Sequence, residues 1–133
     1  MKLLLDTHVW LWSQERVERL GRKARTALSD LDQQRFVSAI STFEIARLIS
    51  RGLLRFHQPF PYWKEDALRE LHARTIDVTH EIAWEAYNLP GTFHSDPADR
   101  ILVATARLHD LLLITADDLI LRYAYVKTVS AKK

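Results

Sequence analysis

The chain reads as an α/β domain: a central parallel sheet of four to five strands covered by helices on both faces, in three α/β/α layers. Three observations carry that reading. Short apolar runs alternate with helical patterns along the sequence. Two of the runs, residues 2–6 (KLLLD) and 111–115 (LLLIT), are apolar almost throughout, as strands covered on both faces are. Acidic residues follow these runs closely, and parallel sheets place ligands beyond the carboxyl ends of their strands.

In chain order, KLLLD is the first strand, and residues 22–31 form a helix after Gly21. RFVS at 35–38 is the second strand. Residues 41–51 form a helix that opens on Ser41 and Glu44 and stops before Gly52, good start and stop chemistry. Residues 60–73 carry Trp63, Ala67, Leu68 and Leu71 at helical spacing. TIDV at 75–78 is the third strand, and residues 80–87 are helical. The helix 97–109 has Pro97 in its first turn, where proline is favoured. LLLIT is the fourth strand, residues 116–123 a short helix, and residues 125–129 a fifth strand. Residues 130–133 are expected to fray. No repeat or low-complexity stretch marks a boundary, so residues 1–133 read as one domain.

The bulk numbers exclude more than they select. With 133 residues, 47% of them hydrophobic, the chain is long enough to bury a core of its own. It has no cysteine, which rules out disulfides, thiolate metal sites and cysteine nucleophiles. Asp6 and His8 interrupt the N-terminal apolar run, so a signal peptide is not expected. No run approaches the roughly 20 apolar residues of a membrane span, and the expectation is a cytoplasmic protein without a membrane partner. A net charge of +2 tolerates a nucleic-acid partner without requiring one.

The acidic residues each have a structural and a functional reading. Asp6, after the first strand, is either a helix N-cap or a ligand at the sheet edge. Glu44, three residues after Ser41, completes a capping box, and the same placement puts it at the edge that Asp6 occupies. Asp96 before Pro97 is mainly an N-cap, with a place in the site as the alternative. Asp99 either favours the helix dipole or projects into the site. For Asp117, with Thr115 and Asp118 assigned to capping the last helix, no structural task is left.

The four carboxylates Asp6, Glu44, Asp99 and Asp117 come from separate strand-to-helix junctions, which share one edge in a parallel sheet. Like charges gathered there must protonate or bind a cation. Oxygen donors suit Mg2+ or Mn2+, and such a site hydrolyses phosphodiesters. Thr7 and Arg100 are candidates for substrate contacts, Thr7 equally a helix-start hydroxyl and Arg100 equally the salt-bridge partner of Asp96 or Asp99. His94 is more readily a surface histidine than a site residue. Trp10, Trp12, Trp63 and Trp84 sit in helical settings that favour packing over base stacking. The arginines at 16, 19, 22 and 25 form a basic stretch that is either a solvated face or a steering surface for RNA.

Four blocks, LLLDTHVWLW, VSAISTFEIARLISRGLL, LPGTFHSDPADRILVATA and LLLITAD, resemble the motifs of the PIN domain and, more narrowly, of VapC-type toxin ribonucleases. The likeness runs from Lys2 to about Asp118. The stretch from His94 to Arg100 with its apolar helix is its most specific part, whereas DTH alone is weak. The resemblance implies a Mg2+-dependent (or Mn2+-dependent) endoribonuclease with Asp6, Glu44, Asp99 and Asp117 as catalytic and metal-binding residues, Asp96 being the extra acid of this subgroup. It also implies an RNA substrate, often transfer RNA, a VapB-type antitoxin and a homodimer. Phe43 stands where many relatives have Trp, and Arg47 where many have Lys; both changes leave the acidic set intact.

Two other classes compete. A PIN fold serving as a catalytically silent RNA- or protein-binding module would not need the complete acidic set. A Mg2+-dependent phosphatase or phosphoacceptor domain would need a second acid beside Asp6, and the DTH sequence lacks it.

Overall fold

The computed structural model describes residues 1–133. Five strands, β1 (Lys2–Leu5), β2 (Gln34–Ser38), β3 (Ala73–Ile76), β4 (Leu112–Thr115) and β5 (Thr128–Ser130), form one all-parallel sheet in the order β3-β2-β1-β4-β5. Seven helices flank it: α1 (Thr7–Glu15), α2 (Arg22–Ser29), α3 (Ala39–Ser50), α4 (Phe60–Leu71), α5 (His80–Glu85), α6 (Pro97–His109) and α7 (Asp118–Leu121).

Strand periodicity divides the core between the two faces. Leu3, Leu5, Val37 and Ile114 pack with Val9 and Trp10 of α1, Ala24 of α2 and Trp63 and Ala67 of α4. Leu4 and Leu113 point the other way, onto Leu102, Val103 and Ala106 of α6 and Ile120 of α7. This is why the first and fourth runs are apolar almost throughout: both faces of β1 and β4 are covered.

The order of the strands positions the site. From β1 the chain moves outward through β2 to β3, then returns to place β4 and β5 on the other side of β1. The direction therefore reverses between β1 and β4, and α/β sheets open a crevice beyond the carboxyl ends of such a pair. Leu5 pairs with Val37 and with Ile114, so β1, β2 and β4 end level with one another.

Several boundaries differ from those expected. β3 starts at Ala73 because His72 adopts a left-handed conformation (φ 51) that ends α4 at Leu71 and turns the chain straight into the strand. α3 starts at Ala39, capped by Ser38, whose hydroxyl accepts from Ile40 N at 3.1 Å; the expected start at Ser41 is corrected. β5 starts at Thr128, three residues later than expected. Ser130, in β5, and Ala131 pack instead of fraying, and Lys132 and Lys133 are exposed. Ala131 is fully buried, its N–H donates to Thr115 O at 2.8 Å, and its carbonyl accepts from Gly21 N at 2.9 Å. The tail comes so close that a Cβ on Gly21 would lie 1.9 Å from Lys132 O.

Candidate active site

Asp6 follows β1 directly and caps α1. Its Oδ1 accepts from Thr7 N at 2.7 Å, and its Oδ2 accepts from the Thr115 hydroxyl at 2.6 Å. The first bond is the helix cap, and the second follows from the sheet register, which carries Thr115, at the end of β4, alongside Asp6. Asp6 is buried, and burial raises its carboxyl above the usual aspartate range despite the two hydrogen bonds. Thr115 also accepts from Asp117 N at 3.0 Å, so one hydroxyl orients the loop after β4 and the acid after β1 together.

Glu44 lies in the second turn of α3 rather than in a capping box. With Ser38 as the cap, Ser41 falls in the first turn, buried, where its hydroxyl meets that of Thr7 at 2.8 Å. Thr7 Oγ1 also donates to Glu44 Oε1. Burial raises the Glu44 carboxyl, and the charges of Asp6 and Asp96 add to the effect.

Asp99 reaches the same crevice from the opposite layer. It follows α5 and a loop rather than a strand, which corrects the junction expected for it. Because α6 leads into β4, it runs against the strands, and its first turn lies at their carboxyl ends. Asp96 caps this helix, accepting from Asp99 N at 3.0 Å. Burial, followed by the charges of Asp6, Asp96, Asp117 and Glu44, raises the Asp99 carboxyl from 3.8 to about 8. A single group that senses all four other acids marks a common cavity.

Asp117 has the structural task denied to it by its sequence context. It caps α7, with Oδ1 accepting from Leu119 N at 2.8 Å and Ile120 N at 3.0 Å; the cap expected from Thr115 and Asp118 is corrected. Asp118 instead faces outward to Lys132.

His94 enters the site more closely than its loop setting suggested. Its Nε2 lies 3.0 Å from Asp99 Oδ2, and one donor atom each from His94, Asp99 and Asp117 fall within 4.8 Å of one another, a spacing able to hold a metal ion. Arg100, by contrast, turns away. Its guanidinium donates to the carbonyls of His94 (3.0 Å), Ala86 (2.9 Å) and Phe93 (2.8 Å) and lies 5.1 Å from the Tyr87 ring centroid. These bonds tie the loop before α6 to the end of α5, and no ion pair forms with Asp96 or Asp99. Of the tryptophans, Trp10 and Trp63 are core residues in contact with each other, whereas Trp84 is exposed.

The donor set fits a hard divalent cation. Burial raises the carboxyls of Asp6, Glu44 and Asp99, which lie among further acids, and a cation would offset that cost with oxygen ligands. The hydroxyls of Ser41 and Thr115 were missed as part of the site, and Thr7 was expected as a substrate contact or a helix-start hydroxyl, not as the partner of Ser41 and Glu44. Their partners lie 34 to 109 residues away, so no local pattern announces them.

A parallel sheet in this order, with an acidic crevice at its reversal point, is the architecture of a PIN domain. The chain matches the PIN domain family over residues 3–125 and belongs to it. It is 36% identical over 115 residues to Ribonuclease VapC22 of Mycobacterium tuberculosis (strain ATCC 25618 / H37Rv), covering 86% of each chain. Among solved structures, it superposes on a chain of the VapBC2 complex of Rickettsia felis bound to a promoter DNA fragment. The TM-score is 0.68 at 14% identity, with 98% of each chain covered. A chain of a toxin-antitoxin complex from Klebsiella pneumoniae gives 0.66 at 21% identity, again over 98% of each chain. At these identities the structures establish the fold. No helix is long and apolar enough to cross a membrane.

Proposed function

We propose that this chain is a metal-dependent endoribonuclease, the toxin of a toxin–antitoxin pair, with Asp6, Glu44, Asp99 and Asp117 as its catalytic acids. The observation that carries this reading is the convergence of acids from four elements on one crevice, where donor atoms of Asp99, Asp117 and His94 lie within 4.8 Å of one another and Asp99 feels the charges of Asp6, Asp96, Asp117 and Glu44. The 36% identity to a ribonuclease over most of the chain supports it.

Asp6, Glu44, Asp99 and Asp117 would hold the cation, with Asp96 beside them and His94 within reach. A bound Mg2+ or Mn2+ supplies charge stabilisation at phosphoryl oxygens and acidifies bound water. The chain's own groups prepare that chemistry. Thr7 N–H and the Thr115 hydroxyl fix both oxygens of Asp6, and the Thr7 hydroxyl fixes Glu44. Burial and the neighbouring charges raise the Asp99 carboxyl to about 8, and a bound cation would favour its charged form.

The structural likeness to VapBC and toxin–antitoxin complexes supports a VapB-type antitoxin as partner; a homodimer as the working form belongs to the same proposal. Cleavage of RNA, transfer RNA first, is the test: incubation with Mg2+, Mn2+ or chelator, for the wild-type chain and for Asp6→Asn. Cleavage that requires the metal and falls by orders of magnitude in Asp6→Asn is expected. RNA left intact under every condition, or cut equally by the variant, would refute the reading.

A further inference from the structure

Beside the acidic crevice lies an open pocket of about 290 Å3 whose lining includes Phe93, His94, Leu119, Arg122, Tyr123 and Tyr125. His94 belongs to both, since it lines the pocket while its Nε2 lies 3.0 Å from Asp99 Oδ2. The two spaces are therefore one side chain apart. We propose, on the ribonuclease reading above, that this pocket is a nucleobase subsite, seating one base of the RNA next to the scissile phosphate while Arg122 meets the backbone.

The pocket is built from fixed rings with an open side. Tyr123 is buried, its hydroxyl donates to Pro90 O, and its ring centroid lies 4.8 Å from that of Phe93. These two form a rigid wall. Tyr125 is 52% exposed, yet its position is constrained from two sides. Its carbonyl accepts from Arg107 Nη1 at 2.6 Å. Its ring lies against Gly91, which has φ +66 and where a Cβ would come within 3.1 Å of Tyr125 Cε2. A side chain at position 91 would crowd the ring. Tyr125 thus offers water an aromatic surface held in place by the loop that also carries His94 and Asp96.

The polarity matches one strand of RNA. Bases stack on aromatic side chains, and each such stack is sequence-tolerant because every base has a π face. Arg122 is exposed and makes no ion pair, so its charge is free for a phosphate. The acidic crevice repels a phosphodiester chain, and a cation at the neighbouring pocket offsets that repulsion on the approach. Leu119, at 45% exposure, completes an apolar rim.

The test uses a library of random single-stranded oligoribonucleotides with Mg2+ or Mn2+, cut sites being read by sequencing, and kinetics on one preferred oligonucleotide. Tyr125→Leu should raise KM about tenfold, the size of one base–aromatic stack, with kcat little changed. It should also relax the base preference at one position flanking the cut. Tyr125→Phe should restore both. Replacing that base by an abasic position should cost the wild type the same factor and Tyr125→Leu almost nothing more. Arg122→Gln should lower the salt slope of binding by about one phosphate contact. Wild-type cut patterns and KM in Tyr125→Leu and an unchanged salt slope in Arg122→Gln, while the library is still cleaved, would overturn the subsite and leave the nuclease reading standing. A wild-type chain that leaves the library intact would overturn the nuclease reading and the subsite with it.

Discussion

The Thr115 hydroxyl donates a 2.6 Å hydrogen bond to Asp6 Oδ2 across 109 residues of chain, joining the ends of the two strands between which the sheet reverses direction. The same oxygen accepts from Asp117 N at 3.0 Å. Two proposed catalytic acids therefore share one orienting hydroxyl.

Removing that hydroxyl should disturb both acids. Thr115→Val leaves a buried carboxylate oxygen without its donor and the Asp117 N–H without its acceptor, a loss of about 1–3 kcal/mol. RNA cleavage should require more Mg2+ for half-maximal rate, because Asp6 is no longer held. Thr115→Ser keeps the oxygen and should recover the metal dependence. Thermal melting and a Mg2+ titration of cleavage check both parts; an unchanged titration in Thr115→Val would remove Thr115 from a positioning role.

Asp99 sets the pH dependence of the metal-free protein. Its carboxyl titrates at about 8 when folded and at 3.8 otherwise. Between these values the unfolded chain has released the proton and the folded chain still binds it, so the contribution of this group to stability falls as pH rises from about 4 to about 8. Melting in chelator should show the decline, and Asp99→Asn should flatten it. Added Mg2+ should raise the melting temperature more at pH 8 than at pH 5, since protons compete with the cation. A wild-type melting profile that rises from pH 5 to pH 8 in chelator would contradict the clustered site.

How much of this was legible follows from where each signal lies. The parallel sheet shows because β1 and β4 are buried on both faces, which leaves no polar position in LLL or LLI. Asp6 and Asp117 show because each acid closely follows such a run. Glu44 was placed at the right edge through a wrong local structure: Ser38 does the capping, the helix begins earlier, and the glutamate reaches the crevice from the second turn. Ser41 and Thr115 were passed over because their contacts are tertiary, and His94 was weighed against a surface setting because no sequence pattern shows its loop folding back onto Asp99. The partners of Arg100 were illegible for a related reason, since its acceptors are backbone carbonyls, which sequence does not display.

Arg100 separates loop architecture from substrate binding. Its three carbonyl acceptors lie in a fan that a planar guanidinium meets and a lysine ammonium does not. Arg100→Lys should therefore destabilise the fold by about 2–3 kcal/mol. Cleavage per folded molecule should stay near wild type at a temperature where both proteins are folded. A raised KM for RNA with an unchanged melting temperature would return Arg100 to the substrate-contact role its sequence position suggested.

The acids at 6, 96 and 117 are all helix N-caps, of α1, α6 and α7. Capping and cation binding use the same carboxylates, yet they differ in what they require. A cap needs an oxygen acceptor, which asparagine also provides, whereas alanine costs about 1 kcal/mol. A hard cation needs the negative charge, which asparagine lacks. Asp96→Asn, Asp6→Asn and Asp117→Asn should therefore all melt near wild type, or above it in chelator, where mutual repulsion among the acids is relieved. Cleavage should collapse in Asp6→Asn and Asp117→Asn and persist in Asp96→Asn. The corresponding alanine variants should each lose stability, including Asp96→Ala, whose activity per folded molecule should remain. If Asp96→Asn is as inactive as Asp6→Asn while melting normally, Asp96 belongs to the cation-binding set and the cap is a second use of it. If Asp117→Asn cleaves as wild type does, capping is the whole role of Asp117, and the cation is held by the remaining acids with His94.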